Sequence, residues 1–164
     1  MSTDAFNTWV TDVLAEEGGL TKYGIDTKDH PGVDIANLTR DQAIEIYRQK
    51  YWIATKADQL PPSIAYTYAD CCVNQGPGEA VILLQQSLGV KADGVLGPMT
   101  MAAAKSQISE LAFLKEFNAR RMLRYAKSDI TDYGLGWFRR MSAVACTSTL
   151  IWNGVSNDHL NASD

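Results

Sequence analysis

The sequence predicts a mainly α fold of about seven helices, with a small β-hairpin near residues 20–35. Two observations carry that expectation. Apolar residues recur at helical spacing along most of the chain. Glycine and proline pairs punctuate those runs at intervals that suit helix ends rather than strand ladders.

Asp4 is placed to cap a first helix, and Phe6, Val10, Val13 and Leu14 form its apolar face. Gly18-Gly19 stops it. Residues 20–37, with Gly24, Pro31 and Gly32 among short polar runs, read as loop with the small hairpin. Thr39-Arg-Asp-Gln42 is a capping-box pattern opening a second helix to about Trp52. After Pro61-Pro62, "SIAYTYADCCVN" is apolar nearly all round, as a central buried helix is. Gly76-Pro77-Gly78 ends it, and "EAVILLQQSLG" forms the next helix, closed by Gly89. Asp93-Gly94 favours a tight turn, and Pro98 takes the first position of a helix reaching about Ser106. A longer helix spans roughly 109–126. A glycine-hinged entry, "YGLGWFRR", leads into the last one, to about Trp152. The polar tail, 153–164, is expected to fray.

The chain has 164 residues, enough to bury a core without staples. No linker is long enough to separate independent domains. The net charge of −4 argues against a nucleic-acid binder, since phosphate contacts need clustered Lys and Arg. Three cysteines, Cys71, Cys72 and Cys146, are an odd count with two adjacent, so they read as small buried hydrophobes. His30 and His159 have no ligand-like spacing, so neither a metal nor a cofactor is expected. The first residues lack the pattern of a secretory signal. The apolar run 143–152 is too short to span a bilayer, so no stable membrane insertion is expected.

The chemistry concentrates at the end of the first helix. Glu16 and Glu17 point about 100° apart there. Glu17 follows Val10 by seven and Val13 by four, and so continues the apolar stripe. Partial desolvation raises a carboxyl pKa, and the negative potential of a helix C-terminus acts the same way. An acid still protonated near neutral pH serves as a general acid. The plainer reading is a solvated pair at a helix end.

Glu17-Gly-Gly followed by Thr21-Lys-Tyr-Gly-Ile25 resembles the catalytic region of glycoside hydrolase family 108, the lysozyme-like N-acetylmuramidases found in many phages and prophages. Residues 38–52, 73–100 ("VNQGPGEAVILLQQSLGVKADGVLGPMT") and 133–141 ("YGLGWFRRM") resemble later stretches of the family, in order. The resemblance implies one lysozyme-like domain with a catalytic part at 1–72 and a peptidoglycan-binding-like helical part at 73–152. It makes Glu17 the catalytic glutamate, with Thr21 and Tyr23-Gly24-Ile25 facing it across a cleft. Asn74 and Gln75 fall in a turn near the bound sugar, where their amides supply paired donors and acceptors. Tyr23, Asn74 and Gln75 are therefore the candidate substrate-binding residues.

One departure stands out. Only Leu20 separates Gly19 from Thr21, where family members usually carry about ten more residues, including aspartates. The expected second acid is missing. Asp26, Asp29 and Asp34 lie nearby, and Asp26 is the candidate replacement; alternatively Thr21 orients the attacking water. An ordinary turn aspartate is the competing reading of Asp26.

The expected activity is that of an endolysin cleaving the β-1,4 bond between N-acetylmuramic acid and N-acetylglucosamine. The alternative is a catalytically impaired peptidoglycan-binding protein of the same fold. A monomer is expected, and the missing signal pattern points to synthesis in the host cytoplasm; the resemblance implies action on the wall after a holin permeabilises the membrane. Tyr66, Tyr68, Trp52 and Trp137 are sugar-stacking candidates but read more readily as core. Arg120, Arg121 and Arg124 form a basic strip, either a solvated face or a wall contact.

Overall fold

The computed structural model describes residues 2–16, 22–106, 110–127 and 134–154. Seven α-helices form most of it: α1 Ser2–Glu16, α2 Arg40–Tyr47, α3 Pro62–Gln75, α4 Pro77–Leu88, α5 Pro98–Lys105, α6 Glu110–Ala126 and α7 Gly134–Trp152. The α3 helix is the hub. It packs on α1, α4, α6 and α7, and ten of its residues, Ser63 to Cys72, are buried in an unbroken run. A helix apolar all round needs partners all round, and this one has them.

α1 buries Phe6, Trp9, Val10 and Val13. Each such side chain stabilises the fold by roughly 1.5–3 kcal/mol through burial. The face meets an aromatic cluster. Trp9 and Phe6 each lie 5.4 Å from Trp52, ring centre to ring centre, and Trp9 lies 6.0 Å from Tyr47. The expected capping box is present: Thr39 Oγ1 accepts the Gln42 amide, and the Thr39 amide donates to Gln42 Oε1.

The second helix does not run on as an α-helix to Trp52. After Tyr47 it widens into a π-helical segment, Arg48–Ile53. The Ala54 amide donates to the carbonyl of Gln49, five residues back. Two side chains five residues apart sit about 140° apart on an α-helix. The wider turn lets both Tyr47 and Trp52 face α1, and Arg48 closes over the Phe6 ring at 3.9 Å.

The expected hairpin reduces to a single antiparallel bridge, Lys22 to Ile25, and no strand occurs among the described residues. Tyr23 and Gly24 both take positive φ, 60° and 71°, as in the tight turns that join antiparallel strands. Beyond Ile25 the chain folds into successive turns instead of a ladder. Asp26 Oδ1 accepts the Asp29 amide at 2.8 Å, and Asp34 takes both the amide and the side chain of Asn37. Aspartates that bond their own backbone a few residues on offer it an alternative to strand pairing.

The turn at 89–97 is held by Gln85, which is buried on α4. Its Nε2 lies within hydrogen-bond reach of Asp93 Oδ1, the Val95 carbonyl and Thr100 Oγ1, and its Oε1 accepts the Gly94 amide. Gly94 needs its positive φ of 74° for that approach. The "DGVLGPMT" pattern thus has a structural cause. Cys71 and Cys72 pack in the core as expected, and burial pushes both thiols up to about 12, whereas Cys146 is exposed on α7, contrary to the expectation. No described helix is long and apolar enough to cross a membrane.

Candidate functional site

Glu17 and Thr21 lie outside the described residues. The described residues that border them in the chain are α1 up to Glu16 and the Lys22–Ile25 turn, which with the end of α3 form the candidate frame.

Ile25 is buried and anchors the far side of the turn in the core. Tyr23 packs partly against that core, and its carbonyl accepts the Tyr47 hydroxyl at 3.1 Å. The bond ties the strained Tyr23-Gly24 corner to α2. Asp26 follows directly. It is partly exposed, and one carboxylate oxygen already holds the Asp29 amide. Its geometry is that of a turn aspartate with a second oxygen left for other work.

Asn74 and Gln75 close α3. The Asn74 amide donates to the Asp70 carbonyl at 2.7 Å, on its own helix. Gln75 Nε2 donates to the Arg121 carbonyl at 3.2 Å, and its Oε1 accepts the Cys71 thiol. Gln75 therefore links α3 to α6, and both residues remain partly exposed.

A polar cluster that no sequence pattern announces lies among α1, α3, α6 and α7. Asp70, buried in α3, binds Arg121 of α6 at 2.5 Å and Arg140 of α7 at 2.8 Å. Burial alone would raise the Asp70 pKa, but the two guanidinium groups outweigh it and hold the carboxyl below its usual range. Arg121 also reaches the Thr67 carbonyl and hydroxyl. One turn toward the start of α3, Tyr66 donates to Asp12 Oδ2 of α1 at 2.5 Å. Burial, then the neighbouring Asp12 charge, raises the Tyr66 phenol above its ordinary value. Asp12 on α1 and a lone Asp on the apolar α3 carry no spacing signal, which is why pattern reading missed them.

This cluster also dissolves the basic strip. Arg121 is fully buried against Asp70, Arg120 pairs with Glu116 at 2.7 Å, and Arg124 pairs with Glu79 at 3.2 Å. Three arginines close in sequence thus serve three separate acids. Tyr66, Tyr68 and Trp52 are core, as expected, and Trp137 stacks on Tyr125 at 4.9 Å.

Two hollows flank the frame. A pocket of about 150 Å³ opens between α1, α3 and α7 above the Asp12–Tyr66 and Asp70–Arg140 pairs. A wider groove of about 580 Å³ runs between the 33–38 turns and α2, with Asp34, Asn37, Gln42 and Gln49 on its rim. Among the described residues no group of three His, Cys, Asp or Glu side chains is placed to hold a metal ion.

Residues 7–76 match the family model described as Glycosyl hydrolase 108. The match begins inside α1 and ends at Gly76, just past α3. Among solved structures, the chain is similar to Brucella abortus SagA, with a TM-score of 0.79 and 26% sequence identity over 90% of this chain and 95% of that one. No curated protein matches its sequence.

Proposed function

We propose that the protein hydrolyses peptidoglycan, cutting the β-1,4 bond between N-acetylmuramic acid and N-acetylglucosamine. The observation that carries this reading is the Glycosyl hydrolase 108 match, which spans α1 through α3 and so includes the Glu17–Ile25 stretch. Glu17 protonates the leaving glycosidic oxygen. A water oriented by Thr21 or activated by Asp26 attacks the sugar carbon. Tyr23, Asn74 and Gln75 border the glycan. Two carboxyls about 5 Å apart give retention and a pair about 6.5–9.5 Å apart gives inversion, so the distance that Asp26 keeps from Glu17 sets the outcome if it is the partner.

The same reading divides the chain into a catalytic part and a wall-binding helical part from residue 73. It makes the protein a phage or prophage endolysin that reaches the wall after a holin opens the inner membrane.

A second reading is a wall-binding protein that has lost its acid-base pair. Two observations favour it: the short Gly19–Thr21 spacing and the use of one Asp26 oxygen in a turn. Turbidity of outer-membrane-permeabilised Gram-negative cells separates the readings, beside a pull-down on purified sacculi. Clearing by the wild type that disappears in Glu17→Gln supports the hydrolase. Sacculus binding with no clearing by either form supports the binding protein.

A further inference from the structure

The turn that carries Asp26 is fastened to the core at both ends, by buried Ile25 and by Val33, which packs against the same core. Between them, among the described residues, the hydrogen bonds that reach another element each end on Lys50. Its ammonium donates to the Asp29 carbonyl at 3.0 Å and meets His30 Nε2 at 3.2 Å. Lys50 belongs to the π-helical segment Arg48–Ile53, and its charge lies 5.4 Å from the centre of the Tyr51 ring. An ammonium group only donates, so His30 Nε2 accepts, and the proton of the neutral ring sits on Nδ1. Nδ1 is buried and has no partner among the described residues. A second proton on the ring turns the accepting nitrogen into a donor and sets two cations face to face.

We propose that Lys50 and His30 form a pH-sensitive clasp that positions the Asp26 turn. With the ring neutral the clasp is closed. Lys50 then holds Asp29 and His30, whose amides in turn bond the Asp26 side chain and carbonyl. With the ring protonated Lys50 withdraws, and the turn is left to its two ends. Lys50 is exposed, and contacts of an exposed charge are weak, which suits a clasp that opens. Lys50 is thus a positioning residue for Asp26. Its effect on cleavage rests on the hydrolase reading above, whereas the clasp itself does not.

The groups around the ring set the direction. Lys50 faces it from the π-helical segment, and Asp26 and Asp29 face it from its own turn. Burial, then the Lys50 charge, lowers the His30 pKa from its ordinary 6.5, and the two aspartates oppose this without reversing it. A released ring, back in water, regains the ordinary value. The open form therefore takes the proton first. The clasp is fully closed above 6.5 and weakens as pH falls below it, toward the lower value of the closed ring.

The test reads backbone motion at residues 26–32 of the full chain from the nitrogen–proton NOE, with α2 in the same spectrum as the sign that the fold is intact. The wild-type turn is expected to match α2 at about pH 8 and to fall to about half the α2 value at about pH 5. Lys50→Met keeps the aliphatic stem and loses the charge. It is expected to be mobile at both pH values and to move the His30 ring titration upward. His30→Gln offers Lys50 an oxygen that accepts at every pH, so its turn is expected to stay rigid throughout. A wild-type turn equally rigid at both pH values overturns the clasp, as does a Lys50→Met turn as rigid as the wild type, or a His30→Gln turn that still loosens in acid. Cell clearing is followed at the same two pH values, and a steeper acid loss is expected in the wild type than in His30→Gln. Equal losses remove the positioning role. No clearing at all, with the NOE pattern as expected, removes the hydrolase and keeps the clasp.

Discussion

Single residues here divide into those that do chemistry and those that hold a shape, and paired substitutions tell them apart. Replacing a general acid by its amide typically costs 10²–10⁴-fold in rate. Glu17→Gln is therefore expected to lower cell clearing by about that factor while leaving the far-UV circular dichroism unchanged. Asp26 allows a finer separation, because asparagine can still accept the Asp29 amide. If Asp26 activates the water, Asp26→Asn loses activity while melting at the wild-type temperature. Activity retained in Asp26→Asn leaves Thr21 as the residue that orients water. Gln85 belongs to the shape-holding kind. Gln85→Ala strips the partners from a buried turn, and each buried polar group left unsatisfied costs about 1–3 kcal/mol. A loss of about 3 kcal/mol in urea denaturation is expected, and a loss under 1 kcal/mol would show that Gln85 is not the staple.

At the scale of elements, the Asp70 cluster joins three helices through one carboxylate. Removing one partner of a buried ion pair leaves the other uncompensated, at about 3–5 kcal/mol. Asp70→Asn strands the fully buried Arg121 and is expected to destabilise by that amount, Arg121→Met by less because Asp70 keeps Arg140, and the double change by less than the sum of the two. The pH dependence has a definite sign. Asp70 has a lower pKa folded than its reference of 3.8, so its contribution is complete above that value and fades as pH falls through the lower, folded one. Acid unfolding of Asp70→Asn should accordingly show a shallower dependence on pH below about 4 than that of the wild type.

Helix boundaries were legible in the sequence because their signals are local. Gly89 stops α4 with a left-handed cap, Pro98 starts α5, and α7 ends at Trp152 as expected. Residues 48–53 were misread because an α period fits them nearly as well, and the inward pull of Trp52 comes from α1, far away in sequence. The candidate site was half legible. Tyr23, Asp26, Asn74 and Gln75 sit at turns and helix ends that short-range chemistry marks. Asp12, Tyr66, Asp70 and Arg140 come from three helices, and only their packing makes them neighbours.

Across the whole molecule, one hydrophobic cluster runs from Ala5 through Ile64 and Leu84 to Val144, and touches all seven helices. Helices that share one core have no internal boundary at which to come apart separately. The chain is expected to unfold in a single transition, with tryptophan fluorescence and far-UV circular dichroism giving coincident curves. Two separated midpoints would show that the part after residue 76 is an independent unit.

The wide turn at Arg48–Ile53 amounts to a helix carrying one surplus residue. Deleting one residue there should let the backbone relax into a straight rod, swinging the Trp52 indole from the interior toward water. The second helix would gain regularity, while α1 would lose the clamp that aims its far end. A locally tidier chain would then be a globally looser one, with the damage appearing where the acidic side chain is carried rather than where the cut was made.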